Sequence, residues 1–235
     1  MMLKKSFPSL KNILFCALLS TSFGAQAQVS VLPSAYFGAS RFMNDIKPIR
    51  PSFQTYQTDY GASVSAGFLV EYQPFAFLAI QSGLFFDQLR YYQGYHIESK
   101  YEPVPDRTWT EEYWGRTRYF SLPIALKFQW KKLSLSVGVQ DSRLQSHSTT
   151  YHHYEWSGFD TATVQTSQAF AHRNPGAFFT LGYEFSPNWI ASFKYAQGFK
   201  GIAVEPDKYW QNLDFVKSVQ IIMGLQYRIR LGKKD

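Results

Sequence analysis

The sequence predicts an all-β chain, an eight-stranded antiparallel up-and-down transmembrane β-barrel with a cleaved N-terminal signal peptide. Three observations predict it. Apolar and mixed residues alternate with a period of two in eight segments. Three tight turns alternate with four long polar connections. A secretory leader opens the chain, and the rest of it holds no cysteine.

The leader is read over residues 1–27, leaving 28–235 as the barrel domain. Lys4, Lys5 and Lys11 form its basic region, Ile13 to Leu19 its apolar core, and Ala25-Gln26-Ala27 a small-residue cleavage signature. That apolar core is too short to span a membrane as a helix. The single cysteine, Cys16, lies inside the leader and follows Leu14-Phe15, not the small residues that lipidation needs. An exported domain without cysteine folds without disulfides. The formal charge of +7 falls when three lysines leave with the leader, and no basic run reads as a nucleic-acid patch. An aromatic share of 18 % and the lack of a long apolar run leave β-sandwiches, soluble barrels and outer-membrane barrels as candidates.

The strands are expected at residues 34–43, 60–72, 75–88, 118–130, 133–145, 174–185, 189–199 and 215–231. Tight turns are expected at Gln73-Pro74, Lys131-Lys132 and Ser186-Pro187-Asn188. The long links are 44–59, 89–117, 146–173 and 200–214. Short and long links in strict alternation match a membrane barrel, whereas a sandwich would need Greek-key crossings. One face of each strand suits lipid, as in Phe120, Leu122, Ile124, Leu126, Phe128 and Trp130. The opposite faces carry Ser63, Ser65, Gln81, Asp87, Ser136, Gln140, Lys194 and Gln220, which suit a small polar lumen. Lipid forces closure, because an open sheet edge leaves backbone groups unpaired. Eight strands give an interior that side chains fill. Pro123 lies mid-strand and is expected to produce a bulge or bend.

Tyr72, Phe75, Phe128, Trp130, Phe185 and Trp189 gather at the short-turn end as one aromatic girdle, with Tyr91, Tyr119 and Phe199 toward the long loops. Four charged residues, Glu71, Lys127, Glu184 and Arg228, point inward near the short turns and are expected to plug the lumen. Unpaired charges in water at the mouth, or an ion path, are the alternatives.

His147, His152, His153 and His172 share one loop region, but adjacent histidines diverge and no recurring ligand spacing is present, so no metal is assigned. No cofactor motif and no G-x-S-x-G, P-loop or H-E-x-x-H pattern occurs. Asp87, His96 and loop serines make only a weak case for a rim hydrolase, and the chain is read as non-enzymatic. Residues 91–115 are rich in Tyr, Trp, Arg and Glu, three of which are enriched at interface hot spots. They offer either a partner-binding surface or aromatic packing within loop hairpins.

The stretch RTRYFSLPIALKF at residues 116–128 resembles the signature strand of the PorT-like outer-membrane β-barrel family, with Tyr119, Pro123 and Lys127 in place and Ser121 where a glutamate is typical. LAIQSGLFFDQ at 78–88 and GLQYRI at 224–229 are also similar, while the closing RIRLGKKD lacks the usual final aromatic. The resemblance implies an eight-stranded barrel of a Gram-negative outer membrane, in a lineage that uses type IX secretion. The implied partners are outer-membrane lipid and an envelope or secretion-system protein, with no nucleic acid and no small-molecule substrate. The alternatives are a soluble periplasmic lipocalin-like ligand-binding barrel, with apolar faces inward, and a small passive, porin-like channel.

Overall fold

The computed structural model describes residues 28–43, 54–99, 107–155, 158–164, 173–199 and 217–231. Among them ten strands form one antiparallel sheet: β1 (Gln28–Met43), β2 (Gln54–Phe75), β3 (Leu78–Ser99), β4 (Arg107–Trp130), β5 (Leu133–Glu155), β6 (Gly158–Val164), β7 (Arg173–Glu184), β8 (Trp189–Gly198), β9 (Lys217–Tyr227) and β10 (Ile229–Leu231). The sheet closes, because β1 pairs with β2 on one side and with β9 and β10 on the other. Val29↔Leu231 and Ser34↔Gln226 continue one alignment, so β9 and β10 are a single wall strand interrupted at Arg228. β6 pairs only with β5. The wall therefore has eight antiparallel strands. The predicted leader, residues 1–27, lies outside the described residues.

The register sets the barrel's dimensions. From Ser30, paired residues run through Glu71, Gln81, Ala125, Gly138, Phe178, Ala196 and Gln220 and return to β1 at Ser40, ten residues along. A shift of ten over eight strands tilts them by about 40° and leaves an interior just wide enough for side chains.

The alternation read from the sequence sorts the faces. Phe120, Leu122, Ile124, Leu126, Phe128 and Trp130 on β4, and Leu133, Leu135, Val137 and Val139 on β5, are all exposed. Met223 on β9 and Phe37 on β1 lie opposite each other and expose 69 % and 66 % of their surface. At the tilt above, the apolar run on β4 spans a band about 25 Å tall. A soluble ligand-binding barrel would turn these faces inward; here they point out.

Four expectations need correction. First, residues 89–99 and 107–117 are strand and not loop: β3 and β4 stay paired out to Ser99↔Arg107. β5 likewise continues to Glu155, and β2 starts at Gln54. Tyr, Thr and Trp keep the period of two going, so the ladder persists beyond the apolar band. Second, the first tight turn falls at Ala76-Phe77, not Gln73-Pro74. Pro74 sits inside a register shift between Tyr72 and Phe75, and the Gln73 amide donates to the Ala76 carbonyl at 2.9 Å across the turn. Third, Pro123 makes no bulge. Its alignment with β5 is unbroken at Gln140, and the β3 alignment is unchanged on either side. Pro123 loses a donor and keeps an acceptor, and the Ser82 hydroxyl donates to its carbonyl at 3.1 Å. Fourth, Tyr91 and Tyr119 do not join an outer girdle. Both lie on the inward face and are buried, whereas Phe199 is exposed.

Lys131-Lys132 forms the second turn, with Lys131 at φ 54°, and residues 185–188 the third. Both chain ends of the wall, Gln28 and Leu231, lie at this short-turn end.

Candidate functional site: a filled lumen and a projecting sheet

At the short-turn end, inward parity on β2, β4, β7 and after β9 brings Glu71, Lys127, Glu184 and Arg228 together. Lys127 Nζ lies 2.8 Å from Glu71 Oε2, and each residue exposes only 1–2 % of its surface. The Gln81 amide donates to the same oxygen at 2.8 Å and accepts from the Ser136 hydroxyl at 2.9 Å. Arg228 reaches Glu71 Oε1 at 3.9 Å and pairs closely with Glu184, which also accepts from the Gln129 amide at 3.2 Å. Two carboxylates and two cations balance, so the floor of the lumen is a neutral, cross-linked network.

Above it the interior turns apolar. Leu32, Tyr36, Leu69, Phe85, Ile190 and Ile222 form one buried cluster. Lys194 is threaded into it, with Nζ 5.3 Å from the Phe85 ring centroid and 5.0 Å from that of Phe178. A cavity of about 20 Å³ between these layers has room for about one water. A second cavity of the same size lies higher, lined by Asp87, Tyr119, Gln140, Asn174 and Ser218 among others. Beside it Ser121 donates to Asp87 and lies 2.7 Å from the Ser142 hydroxyl. The long-loop end of the lumen is capped by an imidazole. His147 Nδ1 lies 2.9 Å from the Thr117 hydroxyl, and the Tyr91 ring stacks on the imidazole with centroids 6.1 Å apart. Burial pushes the His147 imidazole down to about 4, so it is neutral at pH 7. His147 lies beyond the apolar band, whose last residue on β5 is Val139. Floor, middle and cap fill the lumen with buried side chains at successive heights.

Past the band, β2, β3, β4, β5 and β6 stand clear of the wall as one sheet, from Gln54↔Ile97 across to Glu155↔Gly158. Register shifts at Tyr60/Val64 and Arg118/Tyr119 mark where it leaves the barrel, and such bulges bend strands. The twelve residues from Arg107 to Arg118 extend about 40 Å along the strand. Up the outer face of β3 and β4 the cross-strand pairs are Phe86/Phe120, Gln88/Arg118, Arg90/Arg116 and Tyr92/Trp114. The outer two are aromatic contacts, at 5.7 and 4.7 Å between centroids.

Of the residues read from the sequence, the four charged ones meet in one network. Tyr119, Pro123 and Lys127 share the inward face of β4 at successive heights, as four-residue spacing on a strand requires, and all are buried. Tyr72, Phe128, Trp130, Phe185 and Trp189 are exposed near the short turns. Phe75 stacks on Phe77 at 5.6 Å, and Trp189 meets Tyr227 edge-on at 5.0 Å. Asp87 is held by Ser121 in the sealed interior. His172 and the side chains of His96 and His153 lie outside the described residues. Among the described residues no group of three or more His, Cys, Asp or Glu side chains is placed to hold a metal. Sequence reasoning missed the Lys194 sandwich between Phe85 and Phe178 and the opposed arginines on the outer face. Parity along the strands carries the first signal, but only the register carries the second.

No protein-family model matches the chain, and no curated protein matches it in sequence. Among solved structures it is similar to Ail, the attachment invasion locus protein of Yersinia pestis, at 12 % identity over 86 % of this chain and 99 % of that one, with a TM-score of 0.37. It is also similar to Neisserial surface protein A, at 12 % identity, 87 % and 99 % coverage and a TM-score of 0.36. The outer-membrane protease OmpT of Escherichia coli aligns at 11 % identity, 86 % and 96 % coverage and a TM-score of 0.36. Likenesses this weak carry no argument about chemistry, and the fold stands on the closed register described above.

Proposed function

We propose that the chain is a non-enzymatic β-barrel of a Gram-negative outer membrane, which uses a filled barrel as an anchor and the projecting sheet as a surface for an envelope or secretion partner. The observation that carries this reading is an apolar exterior, interrupted on β3 at Ser82, around an interior that holds the buried charged and polar side chains. A soluble monomer rarely exposes more than a few hundred Å² of contiguous apolar surface, whereas a band about 25 Å tall flanked by aromatics matches a bilayer. Short turns on one side and long extensions on the other support a reading with the turns in the periplasm and the sheet outside.

The filled lumen argues against a passive channel. Aromatic, paired strands that continue well beyond the apolar band favour a protein partner. Membership of the PorT-like family rests chiefly on the strand around Pro123 and Lys127, with the stretches at 78–88 and 224–229 beside it, and the step from there to type IX secretion is analogy alone.

The test is envelope fractionation of cells carrying a tagged full-length chain, with cross-linking before detergent extraction. Heat-modifiable migration in the outer-membrane fraction with one stoichiometric partner is the expected result. Recovery in the soluble periplasm overturns the membrane reading. Recovery in the membrane without a cross-linked protein overturns the partner.

A further inference from the structure

Two arginine pairs stand directly opposite each other on the outer face at the long-loop edge of the apolar band: Arg143↔Arg173 across β5 and β7, and Arg90↔Arg116 across β3 and β4. Like charges directly opposed on a sheet repel, so each pair calls for an anion. The first has one. Asp141 accepts from Arg173 Nε at 3.2 Å and Nη2 at 2.8 Å, and lies 3.8 Å from Arg143 Nε. The second pair has no carboxylate partner among the described residues, and both its arginines are exposed. Its neighbour along β4 is a third cation, Arg118, held by the Gln88 amide at 3.4 Å.

The height of this second pair identifies its counterion. Arg90/Arg116 lies two pair-steps beyond Phe86/Phe120, about 10 Å above the edge of the apolar band at the strand tilt given above. The headgroup layer reaches about 5–7 Å beyond the hydrocarbon, so a guanidinium directed back toward the band from that height meets it. Arginine side chains there bury their stems against the wall and turn their heads to the interface. One pair-step higher, the exposed Trp114 packs against Tyr92 on the same face.

We propose that Arg90 and Arg116, with Arg118 beside them, form a docking site on the outer face of β3 and β4, where the sheet leaves the wall, for the phosphomonoester of a lipid headgroup in the long-loop-side leaflet. Two guanidiniums match a group that carries close to two negative charges, and each offers a two-pronged set of donors to its oxygens. The phosphate does for Arg90/Arg116 what Asp141 does for Arg143/Arg173. The site rests on the membrane reading, since it exists only if the apolar band lies in a bilayer.

The test uses the full chain in nanodiscs of zwitterionic phospholipid, doped either with a monophosphorylated lipid A or with its dephosphorylated counterpart. Heat-modifiable migration is checked first, and retained lipid is then counted by native mass spectrometry. The wild type is expected to retain the phosphorylated lipid at least about tenfold better than its counterpart, and Arg90→Ser with Arg116→Ser is expected to erase that preference. Arg143→Ser with Arg173→Ser is expected to keep it. Equal retention of the two lipids by an inserted wild type overturns the site, as does an undiminished preference in the Arg90/Arg116 variant. A chain that never enters the bilayer overturns the membrane reading instead. If the double variant does not fold, the comparison of the two lipids on the wild type decides.

Discussion

Replacing Lys127 with Met isolates the role of the charge network at the lumen floor. The substitution keeps length and volume and removes one cation from a balanced set of two carboxylates and two cations. Glu71 then keeps the Gln81 amide at 2.8 Å and Arg228 at 3.9 Å, but loses its closest cation. The direct attraction at 2.8 Å amounts to about 6 kcal/mol at an effective dielectric constant near 20. Relief from desolvating the ammonium offsets part of that. Removing one member of a buried pair is therefore expected to cost about 3 kcal/mol, within the range for uncompensated buried charges. Urea unfolding of the full chain in phospholipid vesicles, followed by tryptophan fluorescence, reads the cost. Lys127→Met combined with Glu71→Gln restores neutrality and should recover at least about 1.5 kcal/mol of the sum of the single changes. A single change costing under about 0.5 kcal/mol, or strictly additive effects, would refute the idea that these groups act as one network.

Met223→Arg places a charge on the outer wall, and in a bilayer should cost about 2–4 kcal/mol by the same unfolding assay. An effect within about 0.5 kcal/mol contradicts a lipid-facing wall. Gly115→Val sets a side chain where a Cβ would meet the Tyr91 ring at 1.9 Å, so it should displace Tyr91 and cost about 1–3 kcal/mol. An unchanged unfolding midpoint would show that the Tyr91 ring does not need that space. His147 has a folded pKa near 4 against about 6.5 unfolded, so the unfolded state binds more protons between those values. Stability present above pH 6.5 should be lost as the pH falls toward 4, by at most about 3 kcal/mol. A His147→Gln variant should lack that part of the slope, and matching profiles for the two proteins would contradict the buried, neutral imidazole.

The wall was legible because lipid imposes one rule on every strand, apolar outside and mixed inside, and a period of two is visible in a single sequence. Leu122, Ile124 and Leu126 announce their direction without help. Parity also placed Glu71, Lys127 and Arg228 on the inner face, and their nearness to the turns set their depth. What parity does not encode is register, which depends on pairing between distant segments. The expected bulge at Pro123 does not form for that reason: its register is kept on both sides, and the Ser82 hydroxyl, 41 residues away, donates to the proline's carbonyl. The strands beyond the band were hidden because their outer face is no longer apolar. Arg90 and Arg116 read as loop residues until the ladder sets them opposite each other.

The return of the register from Ser30 to Ser40 also bears on how the molecule forms. Most wall contacts join neighbours along the chain, but the seam joins the first strand to the last, and Tyr36 meets Gln226 across a separation of 190 residues. Bringing such distant segments together costs about 5 kcal/mol in chain entropy, and nothing is gained until they meet. Before the seam zips, two strand edges face hydrocarbon with their backbone groups unpaired. A half-closed wall is thus worse than either end state. Closure should behave as a late, all-or-none event and its reversal as a rare one, so the lifetime of the embedded protein is set by the seam and not by its weakest hairpin.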